Sequence, residues 1–235
     1  SVTRDAPAAP VAPASGDSGI ENFNSAVVFV IDASSSMQPY IDRTRKAMEE
    51  VLRQAEAAKL GSRIRFGLVA FQDDPAKTRG VEYLSKIFAD PNQTTTAAQF
   101  MAATQNLKAT QVSTRAYAED GYAALDEALR KITWQNFGGR YIVYISDASA
   151  REGNSPFAST RMGTAQMRTH ARERGVAIYA MHLKTAEGKN DHATAEAQFK
   201  SLSSWPGKGP LYFPVEAGDP ARFEADVKRM AQALV

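Results

Sequence analysis

Three stretches of this sequence are apolar almost throughout over the length of a β-strand. They are Ala26-Val27-Val28-Phe29-Val30-Ile31, Arg140–Ser146 (RYIVYIS) and Val176–Leu183 (VAIYAMHL). A strand with one face in water alternates apolar and polar residues. A run that does not alternate must be covered on both faces, which suits a central strand of a parallel sheet. Between and after these runs lie segments of helical period. Ile41, Thr44, Met48, Val51, Leu52 and Ala55 share one face, with Gly61 as the expected C-cap. Glu119–Trp134, Ser159–Arg174 (stopped by Gly175), His192–Ser203 and Pro220–Val235 have the same character. Thr94–Leu107 reads as another helix, with threonine available to cap it. Arg63–Gln72 and Leu211–Val215 read as further strands, and Glu82–Phe88 as an antiparallel edge strand reached through the turn Asp73-Asp74-Pro75. Strands alternating with helices predict a doubly wound α/β fold: a mostly parallel central sheet, helices on both faces and one antiparallel edge strand.

The chain has 235 residues, 43% of them hydrophobic, enough for one sizeable core. Residues 1–24 are rich in Ala, Pro, Ser and Gly and poor in large apolar side chains, and read as a flexible linker. Such a linker leads one to expect something tethered before it, with residues 25–235 forming the folded domain. The net charge of +2, from 28 basic and 26 acidic residues, does not make nucleic acid the expected partner. With no cysteine in the chain, disulfides, thiolate zinc sites and cysteine nucleophiles are excluded. No apolar run approaches the roughly 18 residues that span a bilayer, so any membrane attachment would come from a segment upstream of residue 1.

In open α/β sheets ligands bind beyond the carboxyl ends of the strands, where the strand order reverses. The first apolar run ends in Asp32-Ala33-Ser34-Ser35-Ser36. In a tight strand-to-helix loop, side chains at i, i+2 and i+4 can turn toward one point. One carboxylate and two hydroxyls are hard oxygen donors, suited to magnesium, manganese or calcium. Ser34 or Ser36 could instead cap the following helix. The second apolar run ends in Ile145-Ser146-Asp147-Ala148, and adjacent strands would bring Asp147 close to Asp32.

An apolar strand, D-x-S-x-S and an amphipathic helix resemble the von Willebrand factor A and integrin I-domain family. The resemblance implies a metal-ion-dependent adhesion site formed by Asp32, Ser34, Ser36 and Asp147, with Mg2+ (or Mn2+ or Ca2+) as the ion. It also implies a protein partner whose Asp or Glu carboxylate completes the coordination, and a binding module rather than an enzyme. Two departures stand out. Ala148 replaces the family's glycine, and the glycine-rich threonine loop is missing. Strict alignment to Gly121 puts Ala118 at the threonine position, leaving Thr114 as the best candidate ligand and Ser113 as the next. Met37 and Tyr40 could rim a partner's carboxylate, or Tyr40 could pack the first turn of its own helix. The segments VVFVIDASSSMQPYIDRTRKAMEEVL, VSTRAYAEDGYAALDEAL and YFPVEAGDPARFEADVKRM are also similar to the domain at the C-terminal end of membrane-anchored serine/threonine kinases associated with type VI secretion. That similarity implies a periplasmic sensing or docking role in regulating kinase activity and secretion. A docking domain that has lost its metal is the alternative, because of the degenerate threonine loop.

Enzyme chemistries lack their residues. A dehalogenase-like phosphotransferase needs a second aspartate where Ser34 stands. G-x-S-x-G, a P-loop and G-x-G-x-x-G do not occur. His170, His182 and His192 form no H-x-x-x-H pair, and Arg151-Glu152 and Arg172-Glu173-Arg174 read as solvated charge.

Overall fold

The structure is a computed structural model that describes residues 24–114 and 116–234. The linker expected over residues 1–24 lies outside the described residues, apart from Asn24.

β1 (Ser25–Asp32) is buried at every position because it is covered from both sides. Its odd residues, Val27, Phe29 and Ile31, enter one apolar cluster with Ile41, Met48, Phe223 and Val227. These partners come from α1 (Gln38–Ala57) and α6 (Pro220–Ala233). The even residues, Ala26, Val28 and Val30, enter a second cluster with Leu125, Leu129, Met167 and Phe199. Those come from α3 (Gly121–Lys131), α4 (Thr164–Glu173) and α5 (His192–Leu202) on the opposite face. The lack of alternation thus reflects two cores, one on each side of the sheet. Each fully buried Val, Ile or Phe contributes roughly 1.5–3 kcal/mol of transfer free energy.

The sheet has six strands in the order β3-β2-β1-β4-β5-β8. β2 (Ile64–Phe71), β4 (Gly139–Ser146), β5 (Ala177–Lys184) and β8 (Tyr212–Glu216) run parallel to β1; β3 (Ser85–Ala89) is antiparallel at the edge. The predicted doubly wound α/β fold is therefore the observed one. A two-stranded ribbon of β6 (Ser204–Trp205) and β7 (Gly209–Pro210) was not foreseen. Its strands are two residues long, and its turn relies on Gly207, at φ 77°. No helix among the described residues is long and apolar enough to cross a membrane.

Several helix limits are tighter than the periodicity suggested. α2 covers only Ala97–Ala103, capped by Thr96, whose hydroxyl accepts the Gln99 N–H at 3.1 Å. α3 stops at Lys131, so Ile132 is buried from extended backbone. Gly61 does not cap α1; Lys59, at φ 60°, takes the left-handed position, and Leu60 N–H closes the end on Ala55 O at 2.7 Å. Gly175 does stop α4, at φ 65°.

The reading of Arg151-Glu152 as solvated charge holds for the exposed Glu152 and fails for Arg151. The Arg151 side chain is 1% exposed and pairs at 2.8 Å with Asp73, itself 0% exposed. Glu152 accepts the backbone N–H of Thr164 at 2.8 Å and so caps α4. His182 is buried against Tyr212 (2.7 Å), and His192 donates to Thr185 O at 2.8 Å, both structural roles.

Candidate metal centre

The chain leaves β1 for β2 on one side and later returns to β4 on the other. A crevice opens where the strand order reverses, at the carboxyl ends of β1 and β4. Asp32 is the last residue of β1. The register sets Ile31 opposite Ile145, which puts Ser146 beside Asp32, and the Ser146 hydroxyl donates to Asp32 Oδ2 at 2.8 Å. The Ser34 N–H donates to Asp32 Oδ1 at 2.8 Å. The loop is pinned on both sides: Ala33 N–H reaches Phe71 O, and Ala33 O accepts from Thr110 N–H, each at 2.8 Å. Met37 N–H to Ser34 O (3.0 Å) then closes the turn into α1. Held this way, the Ser36 hydroxyl donates to Asp147 Oδ2 at 2.7 Å. Residues i, i+2 and i+4 of the loop thus meet the residue that follows β4, the convergence the spacing predicts.

The site is short of positive charge. Burial, reinforced by the neighbouring Asp147, pushes the Asp32 carboxyl up to about 7 against hydrogen bonds from Ser34 and Ser146. Burial also raises Asp147, outweighing the Ser36 hydrogen bond. Glu119 is raised further, by burial first and then by Asp32, with Arg151 opposing. Two buried carboxylates facing each other require a proton or a cation. Asp147 opens onto a cavity of about 320 Å³, lined also by Ser34, Ser36, Ser113, Thr114 and Glu119, while Asp32 is wholly buried behind it. Asp32 and Asp147 together with the Ser34 and Ser36 hydroxyls form a hard-oxygen set that fits magnesium, manganese or calcium. Among the described residues, no three acidic or histidine side chains gather closely enough to hold an ion by themselves. Hydroxyls and water must supply the remaining positions.

Thr114 and Ser113 both reach the cavity wall, whereas Ala118 turns its carbonyl to Arg151 Nε at 2.9 Å. The Thr114 hydroxyl lies 2.9 Å from Ala116 O and 3.1 Å from Glu119 Oε1. Ala148 has no left-handed backbone, so alanine is tolerated there; its N–H bonds Ser146 Oγ at 3.1 Å. Met37 and Tyr40 do not form a rim: both are buried, and Tyr40 packs edge-on to Phe223 at 5.3 Å while donating to Gly218 O. The aromatic at the rim is Tyr117, 40% exposed, whose hydroxyl donates to Asp147 O at 3.2 Å. A side chain at Gly188 would collide with that hydroxyl, so the glycine makes room for it. Glu119 was also missed, having been read as the first residue of a helix that in fact begins at Gly121.

The profile of the von Willebrand factor type A domain matches residues 27–150, a span that includes Asp32 through Asp147. The chain belongs to the von Willebrand factor type A (VWA) family. VWA domains are protein-interaction modules. No curated protein matches the chain by sequence. Among solved structures it is similar to proximal thread matrix protein 1 from the mussel byssus, with a zinc-occupied MIDAS motif. That match has TM-score 0.59 and 14% identity, covering 89% of this chain and 46% of that one. It is also similar to the pilus adhesin SpaC from Lactobacillus rhamnosus GG, at TM-score 0.58 and 16% identity, covering 90% of this chain and 30% of that one. The chain thus spans less than half the length of either protein, and at these identities the likeness concerns the fold.

Proposed function

We propose that this VWA domain is a protein-binding module centred on a divalent cation, Mg2+ or else Mn2+ or Ca2+, held by Asp32, Ser34, Ser36 and Asp147, with Thr114 at the wall. The observation that carries this reading is the pairing of two buried carboxylates, Asp32 bonded by the Ser146 hydroxyl and Asp147 by that of Ser36, with Asp147, Ser34 and Ser36 lining a solvent-facing polar cavity. Without a cation, such a pair must hold a proton to stay buried. A bound ion would remain unsaturated, and an Asp or Glu carboxylate from a protein partner would complete it, with Tyr117 offering a fixed aromatic contact beside it. The zinc-occupied motif of the byssus protein supports a divalent ion at this position of the fold. Nothing in this reading makes or breaks covalent bonds, so the chain acts as a binder and not as an enzyme. By its sequence resemblance, the domain is the periplasmic regulatory part of a membrane-anchored serine/threonine kinase that controls type VI secretion. Its link to the membrane would be a tether outside this chain.

One observation favours a metal-independent docking domain instead: the Thr114 hydroxyl already has partners within the protein. Two variants separate the readings. Ser34→Ala and Asp147→Ala are each expected to weaken Mg2+ binding by roughly tenfold or more, while the circular dichroism spectrum stays native. Parent-like Mg2+ affinity in both variants would remove these residues from the site and favour the docking reading.

A further inference from the structure

Glu119 is a buried acid whose position is built by the fold. It is 5% exposed and lines the same cavity as Ser34, Ser36 and Asp147. Its backbone is tied on both sides: its N–H donates to Ser149 O at 2.9 Å, and its carbonyl accepts from Arg151 N–H at 2.8 Å. These bonds form an isolated parallel bridge to Ala150, just beyond β4. The side chain is therefore placed by the segment after β4 that also carries Asp147. Glu119 Oε1 takes up the Thr114 hydroxyl at 3.1 Å, and Oε2 is buried with no hydrogen-bond partner. A buried carboxylate oxygen without a donor keeps its full desolvation penalty, so a donor is expected there.

We propose that Glu119 is a positioning carboxylate of the metal site, holding the Thr114 hydroxyl at the cavity wall with Oε1 and accepting a water of the bound ion with Oε2. The proposal rests on the metal reading above. It names a residue outside the D-x-S-x-S and aspartate pattern. Glu119 acts through an intervening hydroxyl or water, because no three acidic side chains among the described residues converge tightly enough to share an ion directly. This accounts for the departure in the threonine loop. In this loop without glycines, the Thr114 hydroxyl is held jointly by Ala116 O at 2.9 Å and by a carboxylate from the bridge beyond β4. The extra negative charge also strengthens attraction for a cation, while opposing a partner's carboxylate.

The test is calorimetric titration of the metal-stripped chain with Mn2+, comparing the parent with Asp32→Ala, Glu119→Gln, Glu119→Asp and Thr114→Val, each checked by thermal melting. Glu119→Gln is expected to weaken Mn2+ binding about tenfold, in the range seen when the partners of metal ligands are removed. Its metal-free melting temperature should stay close to the parent's, because the amide keeps the size of the acid. Glu119→Asp should recover most of the affinity, and Thr114→Val, which leaves the carboxylate in place and keeps the proposal testable if Glu119→Gln does not fold, should lose a smaller factor. Parent-like affinity in Glu119→Gln, with none in Asp32→Ala, would overturn this inference and leave the metal reading intact. Parent-like affinity in Asp32→Ala would overturn both.

Discussion

Replacing Arg151 with alanine is expected to destabilise the protein by about 3–5 kcal/mol, a large share of a typical domain's 5–15 kcal/mol. The guanidinium spans Asp73 with bonds of 2.8 and 3.5 Å, and its Nε holds Ala118 O at 2.9 Å. Burial alone would raise Asp73, yet hydrogen bonds from Arg151, Thr78 and Asp74 outweigh it and keep the carboxyl below its ordinary range. Without Arg151, that carboxylate stays in the interior with only the Thr78 hydroxyl and the Asp74 N–H. Removing one partner of a buried pair is costly, whereas replacing both with apolar residues of similar volume is often nearly neutral. The double variant Asp73→Leu/Arg151→Met should therefore sit closer to the parent than Arg151→Ala does. Urea unfolding measures this: the midpoint of Arg151→Ala should drop with an unchanged slope. A loss under about 1 kcal/mol would show that the pair is not the anchor described. Because Arg151 Nε also holds Ala118 O, next to Glu119, its loss should loosen the Thr114–Glu119 wall of the metal cavity.

The second large effect is a dependence of stability on pH that a metal ion removes. Asp32 titrates at about 7 in the metal-free fold and at its ordinary 3.8 when unfolded. Between those values the folded state holds more protons than the unfolded state, so the Asp32 contribution falls as pH rises from about 4 to about 7. The ceiling of the loss is about 4 kcal/mol. His182 acts in the opposite direction: burial first, then His192 and Lys184, lower it from 6.5 to about 4, so its contribution rises with pH across that window. Subtracting the Asp32→Asn profile from the parent's removes His182, common to both, and leaves Asp32 together with its effect on Asp147 and Glu119. The difference should shrink when saturating Mg2+ is present, because a cation favours the ionised carboxylate without a proton. Equal pH profiles for parent and Asp32→Asn, without metal, would contradict the charge shortage at the site.

Much of this fold is legible because its signals are local. Val27–Ile31 has no alternation, and the structure answers with a core on each face of β1. The spacing of Asp32, Ser34 and Ser36, and the place of Asp147 after a second apolar run, convey their convergence through strand register alone. What escaped depends on contacts distant in sequence. Arg151 looks solvated beside Glu152 and Gly153, and only Asp73, 78 positions away, explains its burial. Glu119 looks like a helix-starting acid because its bridge to Ala150 cannot be read from periodicity. Met37 and Tyr40 sit at the right place for a rim, but α6 supplies Phe223 and draws Tyr40 inward. Tyr117 reaches the rim because Gly188, on another loop, leaves room for its hydroxyl.

The central claim is that Asp32 and its neighbours hold a divalent cation. Its most direct test is calorimetric titration of the metal-stripped chain with Mg2+ and Mn2+, beside Asp32→Asn. The substitution keeps the shape of Asp32 and one of its two accepting oxygens while removing its charge. Saturable binding by the parent, lost in Asp32→Asn with its fold intact, is the predicted result. Heat-silent titration of the parent with both ions, or equal affinity in the two proteins, would contradict it.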